Sequence, residues 1–566
     1  MLQIYIKNNI RIRGASTPLR AAVTKALTKD NPAYITAKQK RRPTWGIDSK
    51  LELFVQELGD IIAPRGFEDE LNEILIKQGI EPSKVTTRDQ AEGLPVDFGV
   101  WNDDFKLRGY QEPFIEELVK ANGVGIAPAG AGKTIMGCKV IHRVGRATLW
   151  LTHTTDLMYQ TEQRAKATML GVGEVGIIGD SKIKWGDGKL IIATVQTLQA
   201  NPQLIEALDR IIGLVVIDEA HHFPAPQFIE TAGKFSAARI LGLTATPDRK
   251  DRLECYMYAG IGPQLYAIDR KHLYDGGSLL KPEVKFIYTN FVYEQASIKD
   301  DDTENVDAGG EALDYIELLN KLINDQARTQ LVASNILDYA HHGTSIVLTE
   351  SVRYCFYLKE YVAKEAVKRG WAVPRMAVVH GGLQRNSWKV ASSEKVALDM
   401  IDAGTALQHK YDAKAKRWKV KVPNYSAIEM ETWQVTGAQR KQILDDVRAK
   451  KYDILFATQL AREGLDIDHL TVEHMAMPKR GDDADKNNGA SVEQEIGRIQ
   501  RPDPRNPGKA PILIDYVDYN VGVFQSQYSS RRKVYKRLGL NVPAKPRTPR
   551  EKEIDIIDAF LTNLPL

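Results

Sequence analysis

Three short stretches carry residue types suited to triphosphate chemistry. Residues 127–134 read APAGAGKT. Small residues at Ala129, Gly130, Ala131 and Gly132 let backbone N–H groups curl round phosphate oxygens, and a helix opening there adds its positive end. Lys133 reaches the β- and γ-phosphates, and Thr134 offers its hydroxyl to Mg²⁺. Ala127 stands where the strict G-x-x-x-x-G-K-[ST] pattern has its first glycine. The second stretch, IDEAHH at 217–222, follows the apolar run GLVVI. Asp218 is assigned to magnesium and Glu219 to the attacking water. Two acids ending a strand also serve as a plain cap or turn, and the phosphate loop upstream decides against that. The third stretch, QEIGRIQR at 494–501, places Gln494, Arg498 and Arg501 at i, i+4 and i+7, on one helical face. Two aligned arginines neutralise charge developing on a transferred phosphoryl group. Taken alone, such a helix is an ordinary surface ion-pair face.

The elements that position these residues follow from the apolar pattern. From Phe105 onward, GVGIA, ATLWLT, KLIIAT, GLVVID and RILGLT are continuous apolar runs separated by helical stretches. That rhythm predicts a parallel sheet covered on both faces, with ligands at the carboxyl ends of its strands. A second set, TSIVLT, RMAVVH, YDILFA, VEHMAM and APILIDY, predicts a second lobe. The expected fold class is α/β: two tandem parallel-sheet lobes that resemble the RecA-like kind, a small N-terminal α+β domain and an insert in the second lobe. The expected division is 1–104, 105–280 and 281–566, with the insert at about 384–434. The insert contains HKYDAKAKRWKVKV, six bases against one acid around Trp418.

The 566 residues exceed what one core holds, and the formal net charge is only +4. No apolar run of membrane-spanning length and no signal peptide is seen, which fits a cytoplasmic protein. Cys138, Cys255 and Cys355 form no C-x-x-C pair, against a zinc ribbon or a disulfide framework. Charge is uneven: residues 1–42 hold ten bases and one acid, residues 43–104 five bases and fourteen acids. A basic arm that contacts phosphates is one reading, and a solvated charged face is the other.

These elements, in this order, resemble the superfamily 2 helicases and translocases across roughly residues 105–525, and smaller motifs agree. LRGYQ at 107–111 is similar to the adenine-reading segment, which implies roles for Arg108 and Gln111. THTTDLMYQ and ATVQTL sit where the family touches the nucleic-acid backbone, which implies Thr152, His153, Thr194 and Gln196. LTATP resembles the motif that couples hydrolysis to lobe movement, through Thr244, Ala245 and Thr246. ATQLAREGLDID implies that Thr458 touches the strand while Gly464 and Asp466 face the nucleotide. The IDEAHH pattern adds His221 to the catalytic set. The resemblance implies ATP and Mg²⁺ as cofactors and nucleic acid as partner.

Within the superfamily, TATPDRKD and LIDYVDYN…SSRRKVYKRLG look most like the branch of xeroderma-pigmentosum-group-B-type repair helicases and phage recombination helicases. That branch implies DNA, in duplex, forked or branched form. NPAYITAKQKRR…APRGFEDEL is similar to the small DNA-binding domain that precedes the motor there. Segments 1–42, 409–421 and 531–550 are expected to supply salt-sensitive grip, with Trp45, Trp418 and Tyr535 as stacking aromatics. Gln500 replaces a glycine common in RNA-handling relatives, and the insert serves either strand separation or protein docking. Three rivals stand beside this reading: an RNA helicase, a nuclease motor built on Asp97, Asp104 and Lys106, and a partner-recruiting N-terminal domain and insert.

Overall fold

The computed structural model describes residues 2–39, 42–222, 233–245, 252–293, 308–380, 386–391, 408–412, 417–423, 433–458, 467–481 and 490–544, with isolated positions between 393 and 429. Thr246, Gly464 and Asp466 lie outside the described residues.

The first lobe is built on an eight-stranded sheet. Its order is Lys182–Lys184, Gly176–Gly179, Leu190–Thr194, Thr148–Thr152, Leu214–Asp218, Arg239–Thr244, Gly123–Ile126 and Gln264–Ala267. Every pairing is parallel except the hairpin of the first two strands. Successive residues explain why the strands are apolar throughout. Trp150, Ile192 and Val216 pack on one face, while Leu149, Leu151, Ile191 and Val215 pack on the other. Both faces are covered, so the middle of each strand is apolar and the polar side chains fall at strand ends.

The second lobe repeats the plan with six parallel strands: Glu283–Tyr288, Ile512–Val517, Leu470–Met475, Thr344–Thr349, Ile454–Thr458 and Met376–Val379. All ten expected strands are present. The unexpected ones, Gly176–Gly179, Lys182–Lys184, Gln264–Ala267 and Glu283–Tyr288, form the margins of the two sheets. Edge strands bury less and read as mixed sequence, as KIK and EVKFIY do.

The N-terminal sheet has the order Val55–Glu57, Asp60–Pro64, Asn9–Arg13, Gln3–Ile6 and Thr86–Arg88. Ile4, Ile6, Ile10 and Ile12 alternate inward and meet Leu19 and Val23 of one helix and Leu71 and Leu75 of another. Here part of the charge asymmetry cancels within the domain. Arg11 pairs with Glu57 and Asp60, Arg13 with Asp60, and Lys7 with Asp89. The expected basic arm is thus partly spent on internal pairs. Lys38, Arg42 and Trp45 remain exposed, Trp45 at 96%.

This domain is fixed to the first lobe. The buried Arg65 guanidinium donates to the carbonyls of Ala237 (2.7 Å) and Ala238 (3.2 Å), and burial pushes it down to about 10. A Cβ on Gly66 would lie 2.3 Å from the Tyr258 carbonyl oxygen, so only glycine permits this approach. Residues 91–101 then run along the first lobe: Phe98 enters its core, and Gly99 lies against Gly171. Asp97 Oδ1 accepts from the Gly99 N–H (2.8 Å), a turn contact, and no metal-binding group of three or more such ligands occurs among the described residues.

The insert forms a three-stranded antiparallel sheet, Asn386–Ala391, Arg417–Pro423 and Gln408–Asp412. Its neck is closed by His380, whose Nε2 hydrogen-bonds the Trp433 carbonyl (2.9 Å), and by Phe356 stacked on Trp433. Trp418 packs with His409 and Tyr411. The expectation for Tyr535 and Arg531 is corrected. Arg531 forms a buried pair with Asp515 (2.7 Å), and the buried Tyr535 donates to the same carboxylate (2.8 Å), so neither is available to nucleic acid. Residues 545–550 lie outside the described residues.

Candidate active site

The phosphate loop links the strand Gly123–Ile126 to the helix Lys133–Val144. Gly130 and Gly132 both take φ of 85°, which keeps side chains out of the concave face. A Cβ on Gly130 would meet Leu279, and one on Gly132 would meet Gln111. Gln111 is buried, donates to the Ala131 carbonyl (2.8 Å) and accepts from the Arg108 N–H (2.9 Å). Arg108 donates to Tyr110 (3.0 Å), whose hydroxyl in turn donates to Ala131 (3.2 Å). The LRGYQ segment is therefore tied directly to the loop.

Lys133 lies between two carboxylates, 3.2 Å from Asp218 Oδ1 and paired with Glu219 Oε1. Burial opposes its charge, but the two carboxylates outweigh that and hold the ammonium above its usual range. Asp218 Oδ1 also accepts from the Glu219 N–H (2.9 Å). Glu219 has φ of 47°, the left-handed region, where a residue with a Cβ is strained. Its Oε2 lies 3.4 Å from His221 Nδ1, and His221 hydrogen-bonds the Thr244 hydroxyl at 2.8 Å. The Thr244 carbonyl accepts from the Ala127 N–H (2.9 Å), and Ala245 is buried beside it. A chain of contacts thus runs from the loop lysine through both acids and His221 to the predicted coupling segment. The hydroxyl and carboxylate oxygens of Thr134 and Asp218 are hard donors of the kind Mg²⁺ takes.

From the other lobe, the helix Ala490–Ile499 carries Gln494 and Arg498. It is shorter than expected: Arg501 lies in the turn beyond Ile499, not on the helix. Lys509 donates to the Arg501 and Asp468 carbonyls, both at 2.6 Å, which fixes that turn. Burial, with Arg164 nearby, pushes Arg501 down to about 10. The helix lies across the phosphate loop, since a Cβ on Gly497 would come 2.9 Å from that of Ala129.

The residues expected to touch nucleic acid sit at adjacent strand ends. Thr194 is in register with Thr152, and Gln196 donates to the His153 carbonyl (3.2 Å). The two threonines are buried and tie down their own loops, Thr152 to Thr154 and Thr194 to Thr197, while Gln196 faces outward. Thr458 ends its strand in register with Thr349 and is buried. Gln500, Arg270 and Lys509 carried no sequence signal of a site role beyond the departure at Gln500.

Residues 104–249 match the family described as type III restriction enzyme, res subunit, and residues 407–503 match the helicase conserved C-terminal domain. The first match takes in Lys133, Asp218 and Glu219, and the second takes in Gln494, Arg498 and Arg501. The second match begins inside the insert. The chain is 33% identical over 205 residues to a putative DNA 3′-5′ helicase Rad25 of Halobacterium salinarum, covering 36% of this chain and 33% of that protein. It is 31% identical over 206 residues to a DNA 3′-5′ translocase XPB2 of Sulfurisphaera tokodaii, covering 36% of this chain and 44% of that one. The chain thus spans less than half the length of these two relatives. It is 21% identical over 442 residues to a putative ATP-dependent RNA helicase L396 of Acanthamoeba polyphaga mimivirus, covering 77% of this chain and 69% of that protein. Among solved structures, T4 UvsW aligns over 95% of this chain and 97% of its own, at 14% identity and a TM-score of 0.36. No helix among the described residues is long and apolar enough to cross a membrane.

Proposed function

We propose that the motor is an ATP-driven DNA helicase or translocase that remodels duplex, forked or branched DNA. The observation that carries this reading is the cluster of Lys133, Asp218 and Glu219 in one lobe facing the helix of Gln494 and Arg498 from the other. Lys133 binds the β- and γ-phosphates, Glu219 orients the attacking water, and Arg498 with Arg501 takes up charge on the transferred group. Thr134 and Asp218 would hold Mg²⁺, which would supply charge neutralisation at the phosphates. Gln111 reads the base. Gly464 and Asp466 complete the nucleotide face, and Thr246 works with Thr244 and Ala245 in coupling. Gln196 and His153 face the path of the strand, while the buried Thr152, Thr194 and Thr458 brace the loops there. Closure of two half-sites on ATP and release after hydrolysis alternate these backbone grips and produce stepping.

The names of the Rad25 and XPB2 relatives support DNA, and the RNA-helicase relative, matched over most of this chain, supports RNA as the second reading. ATP hydrolysis measured with no nucleic acid, single-stranded DNA, duplex, a fork, a four-way junction and RNA separates them. Strongest stimulation by duplex or branched DNA is expected, and stimulation by RNA alone would replace DNA as the substrate.

A further inference from the structure

The segment that leads from the first lobe into the second does more than connect. After the strand Gln264–Ala267, a short helix, Arg270–Asp275, begins. Arg270 Nη1 donates to Gln500 Oε1 (2.9 Å), and its Nη2 pairs with Glu493. Gln500 Nε2 donates to the Tyr274 hydroxyl (2.7 Å), and the Leu280 N–H donates to the Gln500 carbonyl (2.7 Å). Glu493 and Gln500 bracket Gln494 and Arg498 along the arginine helix, with Arg501 immediately after. On its other side the segment backs the phosphate loop, since Leu279 fills the space that a Cβ on Gly130 would need. Arg270 and Gln500 are both largely shielded from water, where a two-pronged guanidinium contact fixes direction as well as distance.

We propose that Arg270 is a positioning residue. With Tyr274 it clasps both ends of the arginine helix and sets where Arg498 and Arg501 stand relative to the phosphate loop. The inference rests on the nucleotide reading above. It accounts for Gln500, whose side chain both accepts and donates within the clasp, as a glycine there cannot.

The test measures kcat, KM and affinity for a fluorescent ATP analogue in the full chain, with saturating duplex DNA. Arg270→Ala is expected to lower kcat about 10- to 100-fold, with analogue affinity unchanged within about threefold. On an Arg498→Ala background the same change is expected to cost less than in the unaltered chain, because part of its effect runs through that arginine. Tyr274→Phe removes one hydroxyl without a cavity and is expected to lower kcat in the same direction, which keeps the test open should Arg270→Ala fail to fold. Unchanged kcat in a folded variant, or an undiminished further loss on the Arg498→Ala background, would overturn the clasp. Absence of hydrolysis in the wild-type protein would instead overturn the nucleotide reading itself.

Discussion

At Glu219 the backbone sits in a conformation that costs about 1–3 kcal/mol, and the residues on either side over-determine it. The strain aims one carboxylate oxygen at Lys133 and the other at His221. Glu219→Gln keeps the shape and hydrogen bonding but loses the negative charge that polarises water. Hydrolysis is expected to fall about 10²- to 10⁴-fold while affinity for an ATP analogue is retained, as steady-state phosphate release and equilibrium binding would show. Near wild-type turnover would remove Glu219 from the water-activating role. That Lys133, Asp218 and Glu219 meet is legible in the sequence, because the loop and the two acids each follow an apolar strand of one parallel sheet. The contacts of Arg270 and Lys509 are not legible, because Arg270 acts on groups more than two hundred positions away and Lys509 on backbone carbonyls 8 and 41 positions away, in no fixed spacing.

At the scale of elements, continuous apolar runs mark the central strands, whereas the edge strands Lys182–Lys184, Gln264–Ala267 and Glu283–Tyr288 are partly exposed and have no such run. The ending LIDYVDYN…SSRRKVY shows the opposite failure. Its basic and aromatic composition reads as a nucleic-acid grip, yet Asp515, Arg531 and Tyr535 satisfy one another inside the second lobe. Removing one partner strands a buried charge, so Arg531→Ala is expected to cost about 3–5 kcal/mol of stability, read from denaturant unfolding of that lobe. A loss below about 1 kcal/mol would contradict the burial. The same sheet sets a pH response. Burial pushes His474 down to about 3 from an ordinary 6.5. The unfolded chain therefore takes up a proton that the folded chain refuses, so this contribution is whole above pH 6.5 and is lost as pH falls toward 3. The slope is up to about 1.4 kcal/mol per pH unit. His474→Gln is expected to flatten melting temperature against pH in that window, and an unchanged slope would assign the acid sensitivity elsewhere.

Over the whole molecule, the N-terminal domain, two lobes and insert are joined by contacts that composition does not display. The opposed charges of residues 1–42 and 43–104 meet as ion pairs within one small domain, and Arg65 and Gly66 lock that domain to the first lobe. Gly66→Val is expected to undock it, exposing the 89–104 segment to protease while the isolated lobes keep their fold. Unaltered proteolysis would show that the interface yields more easily than its geometry implies. The claim that joins all these parts is that ATP hydrolysis moves the protein along DNA. Displacement of a triplex-forming oligonucleotide from duplex DNA tests that movement directly. Release with ATP, and none with a non-hydrolysable analogue or with Lys133→Ala, is the predicted result. DNA-stimulated hydrolysis with no displacement on any duplex length would contradict it.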